Sequence, residues 1–163
     1  MAKSRKTSTG TPATTVLTQA GVEFWSHPYT HDPSASSYGL EAADALGVEP
    51  GRVFKTLVVE VDGALCVGIV AVDRSLDLKA MAAAVGGKKA TMADTSAAER
   101  ATGYVLGGIS PLGQRRRLPT VLDRSAYDHR RVLVSGGRRG LDVELSTEDL
   151  ATLTDATTAD ISR

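Results

Sequence analysis

The chain has 163 residues, 42% of them hydrophobic but only 4% aromatic, enough to build one core from Val, Leu, Ile and Ala and too apolar for a disordered segment. Its net charge is zero, which excludes a uniformly basic or acidic protein, and its one cysteine, Cys66, excludes an internal disulfide and suits the reducing cytoplasm. No apolar run approaches the roughly 18 residues of a membrane span, and the basic start has no apolar stretch behind it, so neither a membrane anchor nor a secretory leader is expected.

Residues 1–10 read as a flexible basic tail, and residues 11–163 as a single domain. Thr11 fits an N-cap with Pro12 at the first helical position. Ala13, Val16, Leu17 and Ala20 then recur at helical spacing up to Gly21. A short strand is predicted over Val22–His27, followed by a loop between Pro28 and Pro33. The next helix runs from about Tyr38 to Leu46 and stops at Gly47. Val53–Val61 and Ala64–Val72 read as a hairpin turning at Asp62-Gly63. Leu78, Met81, Ala82 and Val85 mark a helix that ends at Gly86, and Lys88–Met92 reads as a strand. A further helix starts at Asp94 or Ser96, where Ser96 with Glu99 fits a capping box. Strands near Val121, over Arg131–Ser135 and over Leu141–Leu145 follow, with Ser146 capping a last helix. The order is α+β: a small mixed β-sheet, curled into a barrel, with surrounding helices.

Charge is unevenly distributed. Between Lys88 and Leu141 the balance is +7, whereas six acids against Arg163 follow from Asp142 onward. Seven arginines fall in three groups, Arg115-Arg116-Arg117, Arg130-Arg131 and Arg138-Arg139. Such groups suit phosphates as well as a merely solvated surface.

Lys55 is the most informative residue. Strand alternation places it with Val53, Leu57, Val59 and Val61, on an apolar face. It is either an edge lysine that discourages aggregation or an ammonium at the mouth of a pocket. The stretch Thr102 to Gly113 is dense in glycine. Gly107 and Gly108 would let backbone approach a ligand, or would simply make a turn. Ser135 to Gly140 is similar, with Asp142 just beyond it. No Ser/His/Asp set can be assembled, and Pro28 breaks any helix that would carry His27 and His31, so neither an enzyme nucleophile nor a metal site is expected. Cys66 reads as a small buried apolar residue.

Four stretches together resemble the YbaK family of Cys-tRNA(Pro) deacylases: Val53-Phe54-Lys55-Thr56-Leu57, Gly103 to Gln114, Arg117-Leu118-Pro119 and Ser135 to Asp142. Pro28 to Pro33 and Ala159-Asp160-Ile161 add weaker similarity, and the likeness covers roughly residues 13–163. The resemblance implies a small mixed β-barrel with helices around it, and no cofactor. It puts the family's essential lysine on Lys55 and a backbone-amide site on Gly107, both expected to be catalytic. Tyr29, Tyr38, Thr56, Gly108, Ser135 and Asp142 fall on substrate-binding positions, Tyr38 where phenylalanine is usual. Arg115, Arg116, Arg117, Arg138 and Arg139 would meet tRNA. The implied reaction removes cysteine from Cys-tRNA(Pro), and attack on Cys-tRNA(Cys) stays open. In it the substrate's own thiol attacks the ester and leaves as a thiolactone. Prolyl-tRNA synthetase is the implied partner. Hydrolysis of another misacylated tRNA such as Ala-tRNA(Pro), or a non-catalytic tRNA- or synthetase-binding module, stays open beside it.

Overall fold

The computed structural model of the protein describes residues 10–163; the expected basic tail, Gly10 apart, lies outside the described residues. Helix α1 (Pro12–Ala20) starts with a reciprocal cap, in which Thr11 Oγ1 accepts from the Thr14 N–H and Thr14 Oγ1 accepts from the Thr11 N–H. Strand β1 (Phe24–Pro28) follows, and then α2 (Tyr38–Leu46), capped by Ser37 and ended at Gly47 as its sequence predicts. A 3-10 turn at Pro50–Arg52 leads into β2 (Phe54–Val61), which the Asp62-Gly63 turn joins to β3 (Ala64–Ala71).

Helix α3 (Leu78–Ala84), strand β4 (Ala90–Met92) and helix α4 (Thr95–Thr102) come next. The cap of α4 is Asp94, which accepts from the Ala97 N–H; Ser96 lies inside the helix, so the Ser96–Glu99 capping box does not form. Glu99 accepts instead from the Leu106 N–H. Strand β5 (Thr120–Asp123), a 3-10 turn at Arg124–Asp128, β6 (Arg131–Arg138), β7 (Leu141–Ser146), α5 (Thr147–Thr154) and β8 (Thr157–Ala159) complete the order.

The strands form two sheets. In the larger, of order β4-β2-β3-β5-β8, β2 pairs antiparallel with β3 and β4, while β3–β5 and β5–β8 are parallel. The smaller, β1-β7-β6, is antiparallel. A parallel bridge between Val53 and Leu133 links the two, so the curled sheet expected from the sequence is built in two parts around one core. The small sheet gives Phe24, Val132, Val134, Val143 and Leu145 to that core. The large sheet gives Phe54, Val58, Val67, Ile69 and Leu122, with Leu17 of α1 and Leu150 of α5 closing it.

The large sheet is covered on its other face too. Val59, Val61, Cys66, Val70 and Val121 pack there against Met81 of α3 and Ile161. Strand β2 therefore has two apolar faces, not the single one that its alternation suggests. Burying a Leu, Val or Phe on either side is worth about 1.5–3 kcal/mol. No helix among the described residues is long and apolar enough to cross a membrane.

Candidate active site

The site arises where β2 runs out of neighbours. Strand β4 pairs with Val59–Val61, the Ala93 N–H just beyond it donates to the Val58 carbonyl, and the bridge to the small sheet lies at Val53, so residues 54–57 pair with β3 alone. A cavity of about 190 Å³ occupies that gap, lined by Phe54, Lys55, Thr56 and Leu57 from β2. The register with β3 is continuous, with no bulge. Both Lys55 and Thr56 reach the cavity because it wraps the open strand end.

Lys55 is half-buried, and its ammonium makes no hydrogen bond or ion pair among the described residues. Burial lowers its pKa, and the Asp73 charge opposes that only in part. Thr56 Oγ1 is also buried without a partner, as is Ser26 Oγ on β1. A buried hydroxyl without a partner costs about 1–3 kcal/mol. Thr56→Val should therefore raise unfolding free energy in urea by about 1 kcal/mol while slowing turnover. Ser26 does not line the cavity, so Ser26→Ala should stabilise without slowing it. Equal activity in the two variants would remove Thr56 from the site.

The glycine-dense loop after α4 supplies the opposite wall. The Leu106 N–H donates to Glu99 Oε2 at 2.9 Å, and the Gly108 N–H donates to the Val105 carbonyl at 2.8 Å. Between them the Gly107 N–H has no partner among the described residues. Gly107 lines the cavity with φ +88°, and a Cβ there would stand 2.8 Å from both Arg139 Nε and Tyr38 Cε1. Arg139 Nε donates to the Leu106 carbonyl at 2.9 Å, and its guanidinium lies 5.1 Å from the Tyr38 ring centre. Gly108 stands behind this wall and does not line the cavity. A Cβ on it would meet Arg138 Cα at 2.7 Å, so its part is to let the loop lie against the β6–β7 hairpin.

That hairpin brings Ser135 and Asp142, a directly opposed cross-strand pair, to the cavity. Asp142 is 5% exposed, and its carboxyl accepts no hydrogen bond among the described residues. Burial pushes its carboxyl up to about 7. Ser135 Oγ accepts from the Gly137 N–H at 3.1 Å, which leaves its proton to donate. Tyr29 is tied to the hairpin through its N–H and the Gly140 carbonyl; burial, then the Asp142 charge, push its phenol up to about 12. Tyr38, the first residue of α2, closes the mouth beside His31, whose Nδ1 lies 2.9 Å from Glu41 Oε1.

The sign of the Asp142 effect on stability follows from its raised folded pKa. Its carboxyl binds a proton more tightly folded than unfolded, so stability is full below about pH 4 and falls as pH rises to about 7. Asp142→Asn should remove this fall, gaining about 2–4 kcal/mol relative to the parent on going from pH 4 to pH 8. Urea titrations at the two pH values measure it, and parallel pH dependence in both proteins would contradict the burial of an unpaired carboxyl.

Of the residues singled out in the sequence, Tyr29, Tyr38, Lys55, Thr56, Gly107, Ser135 and Asp142 thus line one cavity, although the chain brings them from four separate segments. The arginine groups divide. Arg115, Arg116, Arg117, Arg138 and Arg139 have no carboxylate partner among the described residues. Arg131 is paired with Glu144 at 3.2 Å, and Glu144 also meets Arg52 and His27. Arg116 and Arg117 line a separate cavity of about 220 Å³ beside Val16 of α1 and Leu153 of α5. Gly39, Ala42, Phe54 and Ile109 line the main cavity without having been singled out; their apolar or small side chains carry no chemical signal in the sequence.

The model of the family described as the aminoacyl-tRNA editing domain matches residues 32–153, which hold every residue of this cavity but Tyr29. The chain belongs to that family, in its YbaK-type branch. This editing domain is 36% identical, over 99% of its own length and 98% of the relative's, to EbsC of Enterococcus faecalis, named as a candidate Cys-tRNA(Pro)/Cys-tRNA(Cys) deacylase. It superposes on the crystal structure of a candidate trans-editing enzyme for prolyl-tRNA synthetase with a TM-score of 0.80, at 25% identity and covering 100% of this chain and 99% of that one. The hypothetical protein APE2540 gives a TM-score of 0.83 at 25% identity, covering 93% and 99%. The editing domain thus holds, in one cavity, an ammonium, an amide and a carboxyl that have no partner among the described residues. Groups of these kinds suit an acyl oxygen and a cation.

Proposed function

We propose that the protein is a trans-editing deacylase that removes cysteine from misacylated Cys-tRNA(Pro), with Cys-tRNA(Cys) as a further candidate. One observation carries the mechanism: the cavity presents binding groups and no activated nucleophile. None of the hydroxyls of Tyr29, Tyr38, Thr56 and Ser135 is hydrogen-bonded to a histidine, a lysine or a carboxylate among the described residues. A reaction there suits a substrate that brings its own nucleophile, and cysteine does. With a thiol pKa of about 8.5, a few per cent is thiolate at neutral pH.

Holding that sulfur against its own ester carbonyl makes the attack intramolecular. The S–C bond forms and the ester C–O bond breaks. A cyclic thiolactone results, and the thiol proton ends on the freed ribose hydroxyl. Asp142 holds the substrate ammonium, the Gly107 N–H faces the developing oxyanion, and Lys55 supports the carbonyl or the terminal ribose. Tyr29 and Tyr38 wall the aminoacyl group. A pocket that accepts proline discriminates poorly against an amino acid of similar size, which creates the need for a second enzyme. Prolyl-tRNA synthetase is the partner that would hand over the tRNA. The names of EbsC and of the trans-editing structure support this reading.

The test follows loss of the amino acid from Cys-, Ala- and Ser-tRNA(Pro), with analysis for thiolactone. Loss of cysteine alone, recovered as thiolactone, is the expected result. Preferential loss of alanine would move the protein to hydrolysis with a bound water, and no turnover of any substrate would leave a binding module.

A further inference from the structure

The Asp142 carboxyl has no partner although a histidine stands directly across from it. His27 of β1 is its cross-strand partner in the small sheet, and in such pairs the Cβ atoms lie about 4.5–5.5 Å apart on one face. An imidazole so placed can reach the carboxyl, as a neutral donor or as a cation. It turns away instead. His27 Nε2 lies 2.9 Å from Glu144 Oε1, two residues further along β7 on the same face.

Glu144 is itself fixed. Its second oxygen takes Arg52 Nη2 at 3.0 Å and Arg131 Nε at 3.2 Å, and the Arg131 guanidinium lies 4.5 Å from the Trp25 ring centre. Its side chain is 14% exposed. Burial opposes its charge, but the His27 bond and then Arg52 outweigh that and lower its pKa. Neither His27 nor Glu144 lines the cavity. The titratable side chains that share the cavity with Asp142 are Tyr29, Tyr38 and Lys55. No ion pair or hydrogen bond among the described residues joins any of them to it.

We infer that Glu144, anchored by Arg52 and Arg131, is a positioning residue that draws the His27 imidazole off Asp142 and so keeps that carboxyl open to the cation of a ligand. This rests on Asp142 receiving the substrate ammonium, and adds what stops the imidazole from taking that place. The test follows the Asp142 carboxyl carbon of the whole protein, labelled with 13C-aspartate and assigned by its loss in D142N, through a pH titration. In the parent the midpoint should lie at about 7. In E144A the released imidazole should turn to Asp142 and lower the midpoint by about 1–3 pH units. H27A/E144A should restore it, and H27A alone should match the parent. KM for Cys-tRNA(Pro) should follow the same order, about tenfold higher in E144A and near the parent in the double variant, with kcat nearly unchanged. A merely loosened sheet would be worsened by the second substitution, not relieved. A midpoint that does not fall in E144A, or that falls as far in H27A/E144A, would overturn the inference. So would a rise in H27A alone, which would put the imidazole on Asp142 from the start. The titration needs no tRNA, so failure of cysteine removal would leave its result standing, and the reverse also holds.

Discussion

Replacing Lys55 by alanine should lower the first-order rate of cysteine loss by about 10²–10³-fold, the cost of losing one preorganised charge-stabilising donor. The reason lies in what the side chain does not do. It has no ion pair or hydrogen bond among the described residues, and burial already works against its charge. On the proposed reading, this ammonium is left for a partner that arrives with the substrate. Stability should be unchanged or slightly raised, since the half-buried charge is relieved by the substitution. Single-turnover kinetics on Cys-tRNA(Pro) and urea denaturation of the same preparation read the two effects separately. A rate within about threefold of the parent would take Lys55 out of the reaction.

The second large effect should come from Gly107→Ala, which acts on backbone and wall at once. At φ +88° a Cβ is strained by about 1–2 kcal/mol wherever it sits. Here it would also stand 2.8 Å from Arg139 Nε and from Tyr38 Cε1, so both must move. Moving Arg139 would break its bond to the Leu106 carbonyl, which holds the Leu106–Gly107 peptide in place. We expect a loss of about 1–3 kcal/mol in unfolding free energy and about 10²-fold in the rate at saturating substrate. Denaturation midpoints check the first and kcat the second. Full activity in a destabilised variant would show that the amide is not used.

How far the sequence foretells this site depends on which signals are local. The limits of α2 follow from Ser37, the apolar spacing and Gly47, and the Asp62-Gly63 turn follows from its dipeptide. Both are decided within a few residues. Strand β8 gives no warning, because Thr157–Ala159 is three residues long and exists only through parallel pairing with β5. The cap of α4 has two local candidates. Asp94 wins, and Glu99 turns instead to the Leu106 N–H, a contact seven residues away that no periodicity carries. Alternation in β2 suggests one apolar face, but a strand covered on both sides shows none by that measure. The convergence of Lys55, Gly107 and Asp142 can be taken only from resemblance, since pairing across sheets leaves no trace in spacing. The sorting of the arginines is legible in neither way, because it turns on Glu144 crossing to Arg52 and Arg131.

The buried carboxyl of Asp142 has a meaning beyond affinity. Left without a hydrogen-bond or ion-pair partner among the described residues and pushed up to about 7 by burial, it gains most from a cation that a ligand brings into contact with it. On the proposed reading that cation is a free α-amino group, which an aminoacyl-tRNA has and a peptidyl-tRNA lacks. The same carboxyl that orients cysteine would then act as a safeguard for the ribosome's own intermediates. An N-acetylated Cys-tRNA(Pro), although it keeps thiol and ester, should be left intact, so a growing chain that has just incorporated cysteine is not released by the enzyme that polices its charging.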